Sequence, residues 1–109
     1  MADTIRTAPP LVVPLTIVDG VATWSTDGAH ESERTLTLDA DASLVILDAV
    51  AGAQGYLEVS QDDIGGRALT LPPGSVFGQA RVHTDPRRKT ALAWMFDGLV
   101  FRYMLAWEA

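Results

Sequence analysis

The sequence predicts an all-β protein, an antiparallel β-sandwich that is jelly-roll-like or barrel-like and has about eight short strands. Hydrophobic residues alternate with polar residues in short runs, which is the period of a half-buried strand. Turn residues recur about every 8–12 residues, and no window has the 3.6-residue period of a helix. The chain has 109 residues, the size of one domain. We therefore predict an extended N-terminal arm over residues 1–10 and a single sandwich domain over residues 11–109.

The N-terminal arm contains Pro9 and Pro10, which have no N–H group to donate and cannot enter the interior of a sheet. Chain termini are usually poorly ordered unless other parts of a structure hold them. An extended arm of this kind is held in place only when it docks on another surface. We expect such docking, and we take Pro9, Pro10 and Leu11 as candidate interface residues.

The first hairpin is predicted at Asp19-Gly20, between hydrophobic runs over residues 11–18 and 21–25. Asp-Gly is a strong hairpin signal because both central residues of a type I′ turn need positive φ. Pro14 then fits only an edge strand or the neighbourhood of a break. The turn pairs residues across the two strands: Val18 with Val21, Ile17 with Ala22, and Leu15 with Trp24.

Five shorter strands are predicted between the first and the last hairpin, over residues 34–39, 43–48, 55–61, 67–71 and 76–83. The run over residues 44–47 is continuously hydrophobic, which suits a strand that is buried on both faces. Asp62 is predicted to cap the turn after the third of these strands by accepting backbone N–H bonds, and Gly65 and Gly66 supply positive φ there.

The last hairpin is predicted at Asp97-Gly98 by the same signal. Trp107 follows it near the end of the sequence, where a large apolar side chain is equally well a core or an interface residue, so we include it among the interface candidates. With Asp97 and Gly98 as the loop, three hydrophobic pairs fall on one face: Phe96 with Leu99, Trp94 with Phe101, and Leu92 with Tyr103.

Composition and charge exclude several classes of protein. The chain has no cysteine, which excludes disulfide scaffolds, thiolate metal sites and cysteine nucleophiles. No run reaches the roughly 18 apolar residues of a membrane span. The first residues lack the pattern of a secretory signal, so we expect synthesis and folding in a cytoplasm. The net charge of −6 disfavours nucleic acid and membranes as partners, and Arg87-Arg88-Lys89 is interpreted as a solvated loop.

Candidate catalytic and metal-binding residues are few. His83 and Asp85 could form a base and its orienting partner, yet no nucleophile stands at a recognisable spacing. His30 lies in a polar loop whose spacing matches no metal loop, together with three acidic residues: Asp27, Glu31 and Glu33. We predict no catalytic residue, no metal site and no cofactor, and hence no enzyme. A small metal-dependent β-barrel enzyme that uses one of the histidines is the weakest alternative.

Six aromatic side chains could form a platform on which a carbohydrate stacks. All of them lie at alternating positions that are typical of a core, so we favour core packing over ligand stacking. These residues are Trp24, Trp94, Phe96, Phe101, Tyr103 and Trp107.

Residues 55–72 resemble a segment that recurs in bacteriophage tail-fibre and related virion-surface β-modules. In that segment a strand ends in Gln-Asp, a Gly-Gly-Arg turn follows, and a Leu-Thr strand runs into a proline. The surrounding strands and the last hairpin are similar as well, so the resemblance extends over residues 34–107. The residues that match the distinctive part of the motif are Gln61, Asp62, Gly65, Gly66 and Arg67.

The resemblance implies a non-enzymatic structural protein on the exterior of a bacteriophage virion, usually trimeric or otherwise multimeric. Its partners would be other capsid or tail proteins, and its location would be the virion after synthesis in the host cytoplasm. Such modules usually belong to longer fibre chains, so a capsid-decorating or collar subunit stays open beside a tail or fibre subunit. The alternative function is a carbohydrate-binding or receptor-binding β-sandwich module, whose partner would be a glycan on the host surface.

Overall fold

The computed structural model describes residues 13–72, 74–76 and 82–109. These residues form two β-sheets and no helix, and so they contain no helix with the length and apolarity that crossing a membrane requires. The predicted all-β class with a sandwich-like arrangement of two sheets is confirmed. The strands are β1 (Val13–Pro14), β2 (Ile17–Val18), β3 (Val21–Ser25), β4 (Glu31–Leu38), β5 (Ala42–Leu47), β6 (Gln54–Gln61), β7 (Leu69–Thr70), β8 (Gly74–Val76), β9 (Lys89–Phe96) and β10 (Phe101–Glu108).

The chain passes back and forth between the two sheets. The six-stranded sheet has the order β1-β4-β6-β9-β10-β8, and the four-stranded sheet has the order β2-β3-β5-β7. From β3 to β7 each connection crosses to the opposite sheet, so neighbouring strands within one sheet run parallel. Of the eight described pairings, five are parallel. The antiparallel direction that we predicted is wrong for these five pairs. Two consecutive strands pair antiparallel when a hairpin joins them within one sheet, and the crossing connections do not form such hairpins.

The first hairpin forms at the predicted turn, whose residues Asp19 and Gly20 have φ angles of 52° and 77°. The predicted pair of Leu15 with Trp24 does not form. The N–H of Leu15 instead donates to the carbonyl of Thr35, in the other sheet, at 2.7 Å. The two pairs next to the turn form as expected: Ile17 with Ala22 and Val18 with Val21.

The last hairpin has a longer loop than predicted and a different register. Asp97 is not among the residues with positive φ, and its carboxylate accepts the N–H groups of Leu99 and Val100 at 2.8 and 2.9 Å. This arrangement extends the loop over residues 97–100 and corrects the predicted pairs. The register moves by an even number of residues, so the aromatic residues keep their common face, whereas Leu99 is 90% exposed. The observed pairs are Phe96 with Phe101, Trp94 with Tyr103, and Leu92 with Leu105.

The edge position predicted for Pro14 is confirmed, and two further strands differ from the prediction. Pro14 lies in β1, at the edge of the six-stranded sheet, where its missing N–H is tolerated. β5 alternates between buried and exposed residues and is not buried on both faces, since no described element covers the outer side of the four-stranded sheet. Of the strand predicted over residues 76–83, only Val76 belongs to a described strand, and residues 77–81 lie outside the described residues.

The core lies between the sheets and is built around two indoles. Trp24 of β3 and Trp94 of β9 meet edge to face, with ring centroids 5.5 Å apart. Gly55 pairs with Trp94 across β6 and β9, and a Cβ at Gly55 would overlap the indole. The hydroxyl of Tyr103 donates to the carbonyl of Pro72 at 2.7 Å, and burial raises the pKa of Tyr103. Aliphatic side chains from both sheets complete the core: Leu36, Leu38, Leu44, Leu57, Val59 and Leu92.

Candidate functional site

Gln61, at the end of β6, bonds only to backbone in the described part of the chain. It is 4% exposed, and its Nε2 donates to the carbonyls of Arg67 at 2.8 Å and His83 at 3.0 Å. Its Oε1 accepts the N–H of Arg67 at 3.1 Å. Both ends of the carboxamide are therefore engaged within the protein, which assigns Gln61 to the fold and not to a ligand.

Asp62 caps the turn that follows. Its Oδ1 accepts the N–H groups of Ile64 and Gly65 at 3.1 and 2.9 Å, and its Oδ2 accepts a bond from Arg67 Nη2 at 3.1 Å. The N–H of Gly65, and after it the Arg67 side chain, hold the pKa of Asp62 below its usual range. Asp62 is consequently ionised at neutral pH, which suits an anchoring anion and not a proton donor.

Gly65 lies where the turn touches the loop over residues 82–88. Its φ is 75°, and a Cβ there would come within 2.7 Å of the carbonyl oxygen of Thr84. The next N–H, that of Gly66, donates to the same carbonyl at 2.7 Å. Residues 61–67 thus fasten the end of β6 to the 82–88 loop, and we call this segment the clamp. All five residues that carry the resemblance belong to it.

The two histidines join no metal cluster in the described ranges. Within residues 13–72, 74–76 and 82–109, no three His, Asp or Glu side chains are arranged to hold a metal ion. His83 Nδ1 accepts the N–H of Asp85 at 3.2 Å, and its Nε2 lies 3.9 Å from the Asp85 carboxylate. His30 contributes its carbonyl, which accepts the N–H of Gln54 at 2.8 Å. The structure brings neither histidine to the acidic residues in the arrangement that the weakest alternative needs.

The aromatic side chains divide between the core and the outer surface. Trp107 lies on the outer face of the six-stranded sheet, because a bulge between Leu105 and Trp107 reverses the alternation along β10. It is 40% exposed, and its Nε1–H donates to the hydroxyl of Tyr56. The other interface candidates, Pro9, Pro10 and Leu11, lie outside the described residues. Five aromatic residues are in the core or packed against it: Trp24, Trp94, Phe96, Phe101 and Tyr103.

An open groove lies at the end of the six-stranded sheet where β4 and β6 begin. Its volume of about 670 Å³ falls within the range of roughly 300–1,000 Å³ that is usual for small-molecule sites. Its walls come from β4, β6, β9 and the turn after β3. We call it the strand-end groove, and its chemically important lining residues are Glu31, Ser32, Glu33, Gln54, Tyr56 and Trp94.

The strand-end groove combines an aromatic ring with polar groups. The hydrogen bond from Trp107 fixes the hydroxyl end of Tyr56. Gln54 Nε2 lies 3.5 Å from the carboxylate of Glu31, at the limit of a hydrogen bond, so both groups keep most of their bonding capacity. Ser32 and Trp94 also border the groove, but they lie with Gly55 on the inner side of the sheet, opposite to Tyr56. Such a combination of a ring and donors and acceptors suits a ligand that carries several hydroxyl groups.

Arg34 is the only cation among the described residues that line the groove, and its guanidinium is engaged elsewhere. It lies over the ring of Trp24, 5.6 Å from the centroid. Its Nη1 also donates to the carbonyl of Glu33 at 2.7 Å. The groove therefore presents carboxylates and neutral polar groups, and no free positive charge, to a ligand.

Sequence reasoning did not find the strand-end groove. It considered Glu31 and Glu33 only as part of an acidic loop, and it placed Tyr56 on an ordinary strand. The groove exists because β4 and β6 pair in parallel, which puts Glu33 beside Tyr56 and Glu31 beside Gln54. Alternation along each strand predicts which residues share a face, but it does not predict which strands are neighbours.

A second surface is the outer side of the four-stranded sheet. Its strands contain no charged residue, although 20% of the residues in the chain are charged. A depression of about 530 Å³ borders this surface near β1. We call the surface the aliphatic face, and its large exposed side chains are Val18, Val21, Val45 and Leu47.

The described residues thus offer two candidate functional surfaces, the strand-end groove on the six-stranded sheet and the aliphatic face on the four-stranded sheet. The clamp is a third distinctive feature, but its polar groups are directed into the protein. No protein-family model matches the chain, and no curated protein and no solved structure matches it either.

Proposed function

We propose that the protein is a non-enzymatic structural subunit on the exterior of a bacteriophage virion, in capsid decoration or in the tail, and that it works as a multimer, with a trimer expected. The aliphatic face is the observation that carries the multimeric part of the proposal. The phage context comes from the resemblance of residues 55–72 to virion-surface β-modules.

The aliphatic face supports self-association on grounds of charge and apolarity. Four large apolar side chains are exposed on this face, interspersed with the hydroxyl residues Thr23, Ser25 and Ser43. Exposed apolar side chains that share one surface favour association, since homo-oligomer interfaces are more apolar than other protein surfaces. Copies that each carry a net charge of −6 repel one another, so an interface without charged strand residues suits them. The outer face of the six-stranded sheet is less suitable, since it carries Glu33, Glu58 and Arg102.

The clamp supports the assignment to the virion modules in a different way. A motif that is shared for structural reasons should have its polar groups bonded within the fold, as those of Gln61 and Asp62 are. A motif that is shared for catalysis should instead direct them into a cleft. The proposed relationship is therefore one of architecture, in keeping with the non-enzymatic role that the resemblance implies.

The multimer is tested by measuring the mass of the purified protein with light scattering coupled to size exclusion. We expect a stable multimer for the natural sequence and a monomer for Val45→Glu, because a carboxylate in the middle of the aliphatic face would be buried without a partner. Thr37→Glu is the matched control, since Thr37 is exposed on β4 in the other sheet. A multimer that survives Val45→Glu but dissociates with Thr37→Glu would contradict this choice of surface.

The virion location is tested on particles from the strain that encodes the chain. Purified phage particles would be labelled with a gold-conjugated antibody against the protein and imaged by electron microscopy. We expect label on the outer surface, and its position on head, collar, tail or fibre identifies the structure to which the subunit belongs. Particles without label and without the protein in mass spectrometry would refute the virion role.

A further inference from the structure

We propose that the strand-end groove binds a neutral sugar, a pyranose ring with free hydroxyl groups. The proposal does not rest on the virion role, because the groove is formed within a single chain and lies on the sheet opposite the aliphatic face. It assigns a ligand class to residues whose polar groups the fold itself leaves largely unused.

The shape and chemistry of the groove match the two sides of a pyranose. One face of a sugar ring presents C–H groups that pack against an aromatic ring, and Tyr56 supplies such a ring in the groove wall. Its hydroxyl is tied to Trp107, so the ring is held in place before a ligand arrives and less side-chain entropy is lost on binding.

The polar groups suit the hydroxyl groups at the edge of the sugar. Each sugar hydroxyl can donate one hydrogen bond and accept others, so it needs both acceptors and donors from the protein. The carboxylates of Glu31 and Glu33 are acceptors, and the carboxamide of Gln54 offers both functions. Gln54 and Glu31 lie within 3.5 Å of each other, which lets the two side chains address neighbouring hydroxyls.

The charges in the groove disfavour an anionic ligand. Glu31 and Glu33 repel an anion, and the guanidinium of Arg34 is held over Trp24 and against the carbonyl of Glu33. A metal cation is disfavoured as well, since the described residues contain no group of three or more ligating side chains. Among ligands without a negative charge, we choose a neutral one with many hydroxyl groups, because it uses the ring, the carboxylates and the carboxamide of the groove together.

The side of the sheet on which each residue lies decides which of them can meet the sugar. Trp94 and Ser32 lie on the inner side with Gly55, and Trp94 meets Trp24 in the core. Tyr56 lies on the outer side, where it bonds to Trp107. Alternation along β4 and β6 places Glu31, Glu33 and Gln54 on that same outer side, so these side chains and Tyr56 form the surface that faces the ligand.

The test is an NMR titration of the isotope-labelled full chain with the methyl glycosides of glucose, galactose, mannose, rhamnose and N-acetylglucosamine, each added separately. We expect at least one of them to shift the indole N–H signal of Trp107, which is bonded to Tyr56, saturably, with a Kd on the order of millimolar for a single sugar unit. The backbone signals of residues 31–33 and 54–56 should move with them, and those of the aliphatic face should not.

Variants decide whether the binding belongs to the groove. Tyr56→Ala should raise the Kd about tenfold or more, whereas Ser60→Ala, on the same face at the other end of β6, should leave it unchanged. Glu33→Gln is a second variant at an exposed position, and it should weaken binding without disturbing the fold.

Two results would overturn the sugar proposal: no saturable shift with any probe, or shifts that are the same in Tyr56→Ala and Glu33→Gln as in the natural sequence. The Val45→Glu variant separates this test from that of the multimer. A monomeric Val45→Glu protein that still binds sugar supports both proposals, and a multimer without sugar binding overturns only this one.

Discussion

Gln61 and Asp62 hold the clamp together through hydrogen bonds from their side chains to the backbone. Gln61 reaches the carbonyl of His83, which is 22 residues away along the chain, and Asp62 holds the N–H groups of its own turn. The turn was predictable because Asp and Gly-Gly are local signals. The partner was not, since nothing in the sequence near Gln61 specifies contact with the 82–88 loop.

Asp62 should make the stability of the protein depend on pH. Its pKa in the folded state is lowered, so its contribution is complete above the unfolded value of 3.8 and is lost as the pH falls through the lower folded pKa. Asp62→Asn should therefore be less stable than the natural sequence at pH 7, with a difference that shrinks below about pH 4. Thermal unfolding over a pH series measures this difference.

Asp63→Asn is the matched control for this pH effect. Asp63 is the neighbouring carboxylate, 85% exposed and 3.8 Å from Arg87. Its replacement should change the unfolding temperature little at any pH, because exposed ion pairs contribute little. A pH profile of Asp62→Asn that runs parallel to that of the natural sequence would show that the capping bonds do not stabilise the fold.

Gly65 and Gly66 allow backbone strain to be separated from a steric clash. Both have positive φ, 75° and 77°, but only at Gly65 would a Cβ meet the backbone of Thr84. Gly66→Ala should cost about 1 kcal/mol of unfolding free energy from the backbone conformation. Gly65→Ala should cost about 1–3 kcal/mol more, as expected for overpacking. Urea unfolding of the two variants measures both values, and equal losses would refute the close approach.

The connections that cross from one sheet to the other are the elements that the sequence predicted least well. The connection over residues 39–41, between β4 and β5, is short enough for a hairpin within one sheet, yet it leads to the opposite sheet. Alternating hydrophobicity marks a strand equally well in both cases. The hairpin at Asp19-Gly20 was predictable because its turn geometry needs particular residues. At Asp97-Gly98 the same signal located the turn but not its length, because the Asp97 carboxylate bonds the next N–H groups.

The pairing of β6 with β9 depends on the absence of a side chain at Gly55. The indole of Trp94 occupies the space that a Cβ at Gly55 would need. Gly55→Ala should therefore lower the free energy of unfolding by about 1–3 kcal/mol, because the indole must move within a packed core. Ser60→Ala, on the same strand, should change it by less than about 0.5 kcal/mol. Denaturant unfolding measures both, and equal stability of the two variants would contradict the tight contact.

At the scale of the whole molecule, the two sheets present different outer surfaces. The four-stranded sheet contains no charged strand residue, and the six-stranded sheet carries charged residues and the groove. Composition and periodicity predicted the all-β class, because both are properties of individual strands. They did not predict these surfaces, since each depends on strands that lie apart in the sequence and pair in parallel, β4 with β6 in the groove and β3 with β5 in the aliphatic face.

This topology should make folding slow. Each parallel pair, such as β3 with β5 or β4 with β6, closes a loop that contains a strand of the other sheet, and contacts distant in sequence slow folding. We expect refolding in about milliseconds to seconds, followed by stopped-flow fluorescence of the core tryptophans. A dominant refolding phase faster than about 100 μs would show that local contacts determine the rate.

The alternating path of the chain makes the molecule extensible in whole repeats. A duplicated pair of strands placed after β4 would add one rung to each sheet, and every new strand would meet parallel neighbours through the same ladder of bonds. The hydrophobic layer would lengthen, while the β9–β10 hairpin and β8 would stay next to β6 at one end of the larger sheet. Such an insertion would also part Glu33 from Tyr56, which are now on adjacent strands. A chain with this insertion would therefore be longer by whole strand pairs, and it would no longer have Glu33 and Tyr56 side by side.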